Sequence, residues 1–218
     1  MASLIEPRWE TVTAVMRELL TSIGQQEFCQ RFYLAGGTAL ALQLGHRRSI
    51  DLDFFSETDE VTTATQNEIM TALSPLNPVI VERARGHFLL IIAQVQVGFF
   101  AYGYPLLRSP HRIGNLALAD PLDIGLMKLD ALISRAASKD FFDLYFITRT
   151  ISLDDLLAYG EQKYRHARDF EVEAVRSLIF FDNAERDVFP SLLEPVPWET
   201  IKQFFQTEAK RLGSRWIK

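Results

Sequence analysis

Hydrophobic positions change their period several times along the first hundred residues, and each change marks an element. Val12, Val15, Leu19, Leu20 and Ile23 recur at a spacing near 3.6, which predicts helix across about residues 7–30. Pro7 suits its first turn, and Gly24 is a point where it divides. Phe32 to Ala35 reads as a short buried strand, and Gly36 to Leu44, rich in Ala and Leu, as a short helix stopped by Gly45. Ile50 to Phe55 is a second strand. Val61 to Leu73 is helical, starts near Thr62 or Thr63, and is ended by Pro75 and Pro78. Three strand-like runs follow at 79–84, 88–93 and 94–102. Arg85-Gly86 is a hairpin turn between the first two, so antiparallel pairing is expected there.

From Asp120 the period turns helical. Asp120-Pro121 places a capping residue before a proline at the first helical position. Helices are predicted over 121–137, 139–150, 153–165, 169–179 and 198–212, with Ser138 and Ser152 as caps. Phe189–Pro197 holds three prolines and reads as a surface connection. Strands crowd the first part and helices the second. The expected class is α+β (α/β), a mixed sheet flanked by helices in 1–118 and a helical region in 119–218.

Composition narrows this only slightly. The chain has 218 residues, 48% hydrophobic and 23% charged, ordinary values for a globular domain with a helical appendage. A net charge of -5 excludes a uniformly basic nucleic-acid binder but leaves room for a local basic face. The single cysteine, Cys29, excludes an internal disulfide and is expected in the core. Glu6, Arg8, Glu10, Arg17 and Glu18 interrupt any apolar leader. The apolar stretch from Phe88 to Tyr104 is broken by Gln94, Gln96 and two glycines, too interrupted for a membrane helix. A cytoplasmic location without membrane contact is therefore expected. His46, His87, His111 and His166 show no zinc-ligand spacing.

Candidate chemistry sits on the first turn and the second strand. Gly36-Gly37-Thr38 opens a helix, where free backbone N–H groups and a hydroxyl suit phosphate oxygens. The competing account is a tight turn in which glycine only permits close packing. Thirteen residues separate Gly37 from Asp51. Asp51 and Asp53 fall on one face of the strand, roughly 7 Å apart along the backbone. Two carboxylates embedded among Ile50, Leu52, Phe54 and Phe55 repel each other, and a divalent cation relieves the repulsion. Just upstream, His46-Arg47-Arg48-Ser49 brings two cations to the same region. Further on, Lys128, Arg135 and Lys139 stand at i, i+7 and i+11, within about 40° on a helical wheel. Such a stripe either neutralises phosphate charge or is a solvated face with pairs such as Lys139–Asp143.

These motifs resemble the AbiEii/AbiGii-type nucleotidyltransferase toxins, a branch of the DNA-polymerase-β-like nucleotidyltransferases. Gly36-Gly37 followed by Asp51 and Asp53 matches the family's first motif, and His46-Arg47-Arg48-Ser49 its His-Arg-x-Ser. Lys128, Ala131, Arg135, Lys139, Asp140 and Asp143 match the spacing of its later motif. The resemblance covers about residues 30–148. It implies a transferase that moves NMP from an NTP to an acceptor such as tRNA, as the toxin of a toxin–antitoxin or abortive-infection system with a cognate antitoxin. It implies Mg²⁺, or Mn²⁺, held by Asp51 and Asp53, with Lys128 contacting phosphate or activating the acceptor. Nucleotide contacts would come from Gly36, Gly37, Thr38, Arg47, Ser49, Arg135, Asp140 and Asp143. One departure stands out. The wider fold carries a third carboxylate on a later central strand, where residues 94–102 offer Gln96 and Gly98. Two acids suffice, Asp140 or Asp143 substitutes, or catalysis is lost. The last case leaves a nucleotide- or partner-binding module on the same fold. A further alternative is transfer to a protein or small-molecule acceptor.

Overall fold

A computed structural model describes residues 4–167 and 169–216. The chain divides into two compact units, Met1–Asp120 and Pro121–Lys218.

The first unit is built on a seven-stranded mixed sheet among the described residues. Its elements are α1 (Ala14–Gly24), β1 (Tyr33–Leu34), α2 (Gly36–Leu44), β2 (Asp51–Ser56), α3 (Thr63–Leu73), β3 (Val79–Ala84), β4 (His87–Ile92), β5 (Val95–Ala101), β6 (His111–Ile113) and β7 (Leu116–Leu118). The spatial order is β3-β4-β5-β2-β1-β7-β6. The β2–β5 and β1–β7 pairs are parallel, and the other pairs are antiparallel.

Strict alternation decides what β2 offers. Leu52, Phe54 and Ser56 are buried on one face, and Asp51, Asp53 and Phe55 are half-buried on the other. β4 repeats the pattern with Phe88, Leu90 and Ile92 inside. Behind the sheet, Phe99 meets Phe54 at 5.3 Å, Phe32 at 5.4 Å and Phe28 at 5.7 Å between ring centroids. Each such buried side chain contributes roughly 1.5–3 kcal/mol, so β2 and β5 are fixed firmly by the rings beneath them. Cys29 lies among these residues, 4% exposed. Burial pushes its thiol up to about 11, against the lowering influence of Arg112, so it stays protonated and inert at neutral pH.

Two local differences from the sequence expectation have clear causes. The first helix starts at Ala14, because the Thr13 hydroxyl accepts from the Met16 N–H at 3.2 Å and caps it. Pro7 precedes a 3₁₀ turn over Trp9–Thr11, and Val15 is exposed while Met16 takes the buried position. The β6–β7 hairpin was not expected. Its Gly114-Asn115 turn, with Gly114 at φ 57, is a two-residue hairpin signal that flanking strands of three residues each leave faint.

The second unit is helical: α4 (Pro121–Ser134), α5 (Ser138–Ile147), α6 (Leu153–Lys163), α7 (Phe170–Ser177), α8 (Asp182–Arg186) and α9 (Trp198–Gly213). Phe141 is its packing centre, with Phe181 at 5.2 Å, Phe205 at 5.6 Å and Trp198 at 5.7 Å. Ser152 caps α6 by accepting from Asp155 N–H at 3.1 Å. Ser138 does not cap α5. It lies inside the helix, and its hydroxyl and N–H both donate to Asp187, at 3.0 and 3.2 Å. Lys163 and Asp123, forty residues apart, form an ion pair of 2.7 Å with both side chains fully buried. Among the described residues no helix is long and apolar enough to cross a membrane.

Candidate functional site

β1 ends at Leu34, and the chain turns at once into α2. Ala35 offers no side-chain cap, so the N-terminal turn of α2 is left to backbone groups. Ala35 N–H donates to Asp53 C=O at 3.0 Å, which sets the turn beside the middle of β2. Gly36 has φ 63, and a Cβ there would stand 3.2 Å from Asp53 Oδ2. A Cβ on Gly37 would overlap Nη2 of Arg47, a guanidinium only 5% exposed. Each glycine therefore lies directly against a charged side chain. The positive end of α2 faces the Asp53 carboxylate, and the Arg47 cation lies against Gly37.

Asp51 is held by a short relay. Thr38 Oγ1 contacts both Ser49 Oγ, at 2.7 Å, and the Asp51 carbonyl oxygen. Thr38 Oγ1 is the donor in both contacts, its single proton lying between the Ser49 hydroxyl oxygen and the Asp51 carbonyl. Ser49 Oγ is also 3.4 Å from Asp51 Oδ1. Ser49 N–H donates to Thr11 C=O at 2.8 Å, which ties this segment to the N-terminal turn. Arg47 Nη1 donates to the Arg48 carbonyl at 3.0 Å. Gly36, Gly37, Thr38, Arg47, Ser49, Asp51 and Asp53 are thus gathered in one place in the first unit.

The neighbouring strand β5 pairs Gln96 with Asp51 and Gly98 with Asp53. A Cβ on Gly98 would lie 3.4 Å from Asp53 Oδ1. No acid stands on β5. Among the described residues no three His, Cys, Asp or Glu side chains gather as a ready metal cage. Two hard oxygen ligands on one face fit an ion that fills the rest of its shell with water and substrate phosphates, the habit of Mg²⁺.

The later motif gathers in the second unit, though not as the helical stripe that its spacing suggests. α4 ends at Ser134, and Ala136 at φ 49 turns the chain, so Lys139 does not continue the α4 face. The turn folds Asp140 and Asp143 back onto α4. Lys128 Nζ lies 2.8 Å from Asp140 Oδ1 and 2.6 Å from Asp143 Oδ2, with both carboxylates fully buried. Arg135 Nε donates to Asp140 Oδ2 at 2.9 Å while its own side chain is 57% exposed. Burial raises the Asp140 carboxyl, but Lys128 and Arg135 outweigh it and hold the group below the usual carboxylate range. Arg47 against Gly37 and the Lys163–Asp123 pair are the contacts that sequence reasoning missed. Neither has a spacing signal, because each joins groups that only the fold brings together.

MenT4, a nucleotidyltransferase toxin of Mycobacterium tuberculosis H37Rv, superimposes with a TM-score of 0.55 over 92% of this chain and 84% of its own, at 17% identity. JHP933 of Helicobacter pylori does so at 0.53, over 91% and 90%, also at 17% identity. The fold is that of the nucleotidyltransferases. An uncharacterized protein of Aquifex aeolicus strain VF5 is 34% identical over 202 residues, covering 89% of this chain and 94% of its own. The family model described as nucleotidyl transferase AbiEii toxin, type IV TA system, matches residues 18–215, and the chain belongs to that family.

The closeness of Gly37 and Arg47 makes a testable point. Gly37→Ala is expected to destabilise the first unit by about 1–3 kcal/mol through overpacking and to weaken NTP binding. Arg47→Ala in the same chain should recover most of the lost stability but not the binding, as thermal melts and a double-mutant cycle would show.

Proposed function

We propose that this protein is a metal-dependent nucleotidyltransferase that moves NMP from an NTP to the end of an RNA, tRNA being the fitting class, as the toxin of a toxin–antitoxin or abortive-infection pair. The observation that carries the reading is the placement of Asp53 beside the uncapped N-terminus of α2. The γ- and β-phosphates would lie on the Gly36, Gly37 and Thr38 N–H groups, with Arg47 supplying positive charge nearby. Mg²⁺, or Mn²⁺, held by Asp51 and Asp53 would supply charge neutralisation at the phosphates. The acceptor hydroxyl oxygen attacks the α-phosphorus, the bond to the β-phosphate oxygen breaks, and pyrophosphate leaves with the electron pair. The hydroxyl proton is lost to water. Thr38 and Ser49 hold the Asp51 backbone in register for this arrangement. Lys128, Asp140, Asp143 and Arg135 would form the motif's second contribution, with Lys128 ordered by its two carboxylates to meet phosphate or acceptor. The family description and the toxin label of MenT4 support the toxin role and a cognate antitoxin.

A second reading has one observation in its favour. Gln96 and Gly98 stand where β5 would carry a third acid, so a binding module with little turnover is the alternative. Calorimetry separates the two. The transferase reading expects NTP binding that requires Mg²⁺ and weakens at least tenfold in Asp51→Asn, since a lost charge-assisted ligand is worth about 1.5–3 kcal/mol. Binding indifferent to both Mg²⁺ and Asp51→Asn would favour the module.

A further inference from the structure

The sheet face that bears Asp51 and Asp53 continues into aromatic residues. In the register of the sheet, Tyr33 on β1, Phe55 on β2, Phe100 on β5 and His87 on β4 stand side by side, one step along from Asp53. Phe55 and Phe100 are stacked, 5.1 Å apart with planes at 28°. His87 lies 5.1 Å from Phe100, and Tyr102 meets Phe55 edge-on at 5.6 Å. Phe55, Phe100 and His87 are each only half-buried. The Phe100 ring also leans back along β5, where its edge fills the space that a Cβ on Gly98 would take. An acid at position 98 would have to displace that ring.

Which side of the acids this platform occupies follows from the same contacts. Asp53 Oδ2 faces Gly36 at the start of α2, and Oδ1 faces Gly98 on β5. If triphosphate sits at the α2 end, the leaving pyrophosphate lies on the β1 side of β2. Phosphoryl-type displacement keeps attacking and leaving oxygens roughly in line. The acceptor hydroxyl must then arrive from the β5 side, directly over Gly98 and beside Phe100. A flat aromatic face next to an incoming ribose is suited to the base attached to it, because every nucleobase has a π-face and stacking needs no sequence-specific hydrogen bonds.

We propose that Phe100, backed by Phe55 and flanked by His87, is the subsite that receives the terminal base of an unpaired RNA acceptor end, taking by stacking the place on β5 where a third carboxylate would otherwise stand. The inference rests on the transferase reading above and adds the side of entry, the residues and the mode of recognition. It explains how a protein of net charge -5 engages an RNA end, through stacking on one base.

The test uses the full chain and a short oligoribonucleotide with 2-aminopurine as its 3′-terminal base, whose fluorescence is quenched on stacking. Wild-type protein should quench it. Phe100→Leu, which keeps apolar volume and removes the ring, should lose the quench and raise the acceptor KM roughly tenfold, in the range expected for one stacked base. The NTP KM should stay unchanged, and Phe100→Tyr should restore both signals. His87→Ala, further from the core, should weaken the quench in the same direction and serves if Phe100→Leu melts early. Unaltered quench and acceptor KM in Phe100→Leu and His87→Ala would overturn the subsite and assign the rings to cross-strand packing alone. Transfer by the wild type to RNA with those KM values unmoved overturns only the subsite. Transfer to a polypeptide in place of RNA overturns the acceptor reading and the subsite together.

Discussion

Asp53→Asn is expected to abolish nucleotidyl transfer while the protein remains folded. The asparagine amide has the same shape as the carboxylate and fits between Gly36 and Gly98, where a Cβ at either position would lie 3.2 or 3.4 Å from an Asp53 oxygen. The backbone carbonyl of residue 53 still accepts from Ala35 N–H at 3.0 Å, so the turn into α2 keeps its place. On the proposed reading, the substitution withdraws a negative metal ligand, and with it several kcal/mol of charge stabilisation at the phosphates. Each 1.36 kcal/mol is a factor of ten, so the rate should fall on the order of a thousandfold or more. Removing one of two carboxylates from a shared face should leave the melting temperature unchanged or slightly raised. A melt that collapses together with the activity would show that Asp53 serves the fold.

Lys128→Met is expected to destabilise the second unit strongly. Its ammonium sits between two carboxylates that have no side-chain exposure, at 2.8 and 2.6 Å. Methionine fills the space and withdraws the charge, leaving Asp140 to Arg135 and taking a cation from Asp143. Breaking a buried pair in this way costs about 3–5 kcal/mol, which lowers the melting temperature by roughly 10 °C in a chain of this size. The dependence on pH follows from Asp140. Its folded-state carboxyl is held below the usual range, so its stabilisation is present above the usual carboxylate pKa and is lost as pH falls through the depressed value. Lys128→Met should flatten that acid limb. Adding Asp143→Leu should return part of the stability, because a buried apolar residue costs less than a buried carboxylate deprived of its cation. A melting temperature within about 2 °C of wild type in Lys128→Met would contradict this account.

Local chemistry made much of the first unit legible. An Ala- and Leu-rich run between Gly36 and Gly45 could only be a short buried helix, and α2 spans Gly36–Leu44 with Gly45 left-handed at its end. Alternation gave β2 its two faces, so the placement of Asp51 and Asp53 side by side was readable. The parallel partner of β2 was not, because β5 lies more than forty residues along and pairing across that distance leaves no local pattern. The same limit hid Lys163 and Asp123. For the later motif, the spacing of Lys128, Arg135, Asp140 and Asp143 picked out side chains that do meet, but in another geometry than a helical stripe. A helical wheel assumes an unbroken helix, while Ala136 turns the chain and makes the carboxylates face Lys128 across a corner. Thr38 was legible as a hydroxyl at a helix start, and it proves to donate towards Ser49 Oγ and the Asp51 carbonyl.

On the proposed reading, the acid pair and the α2 turn transfer nucleotide to RNA. The most direct measurement incubates the protein with each of the four NTPs in turn, labelled at the α-phosphate, with Mg²⁺ and total tRNA. Label is expected in RNA with at least one NTP, and none when Asp53→Asn replaces the wild type. No label in RNA with any of the four, or equal label from Asp53→Asn, would contradict that reading.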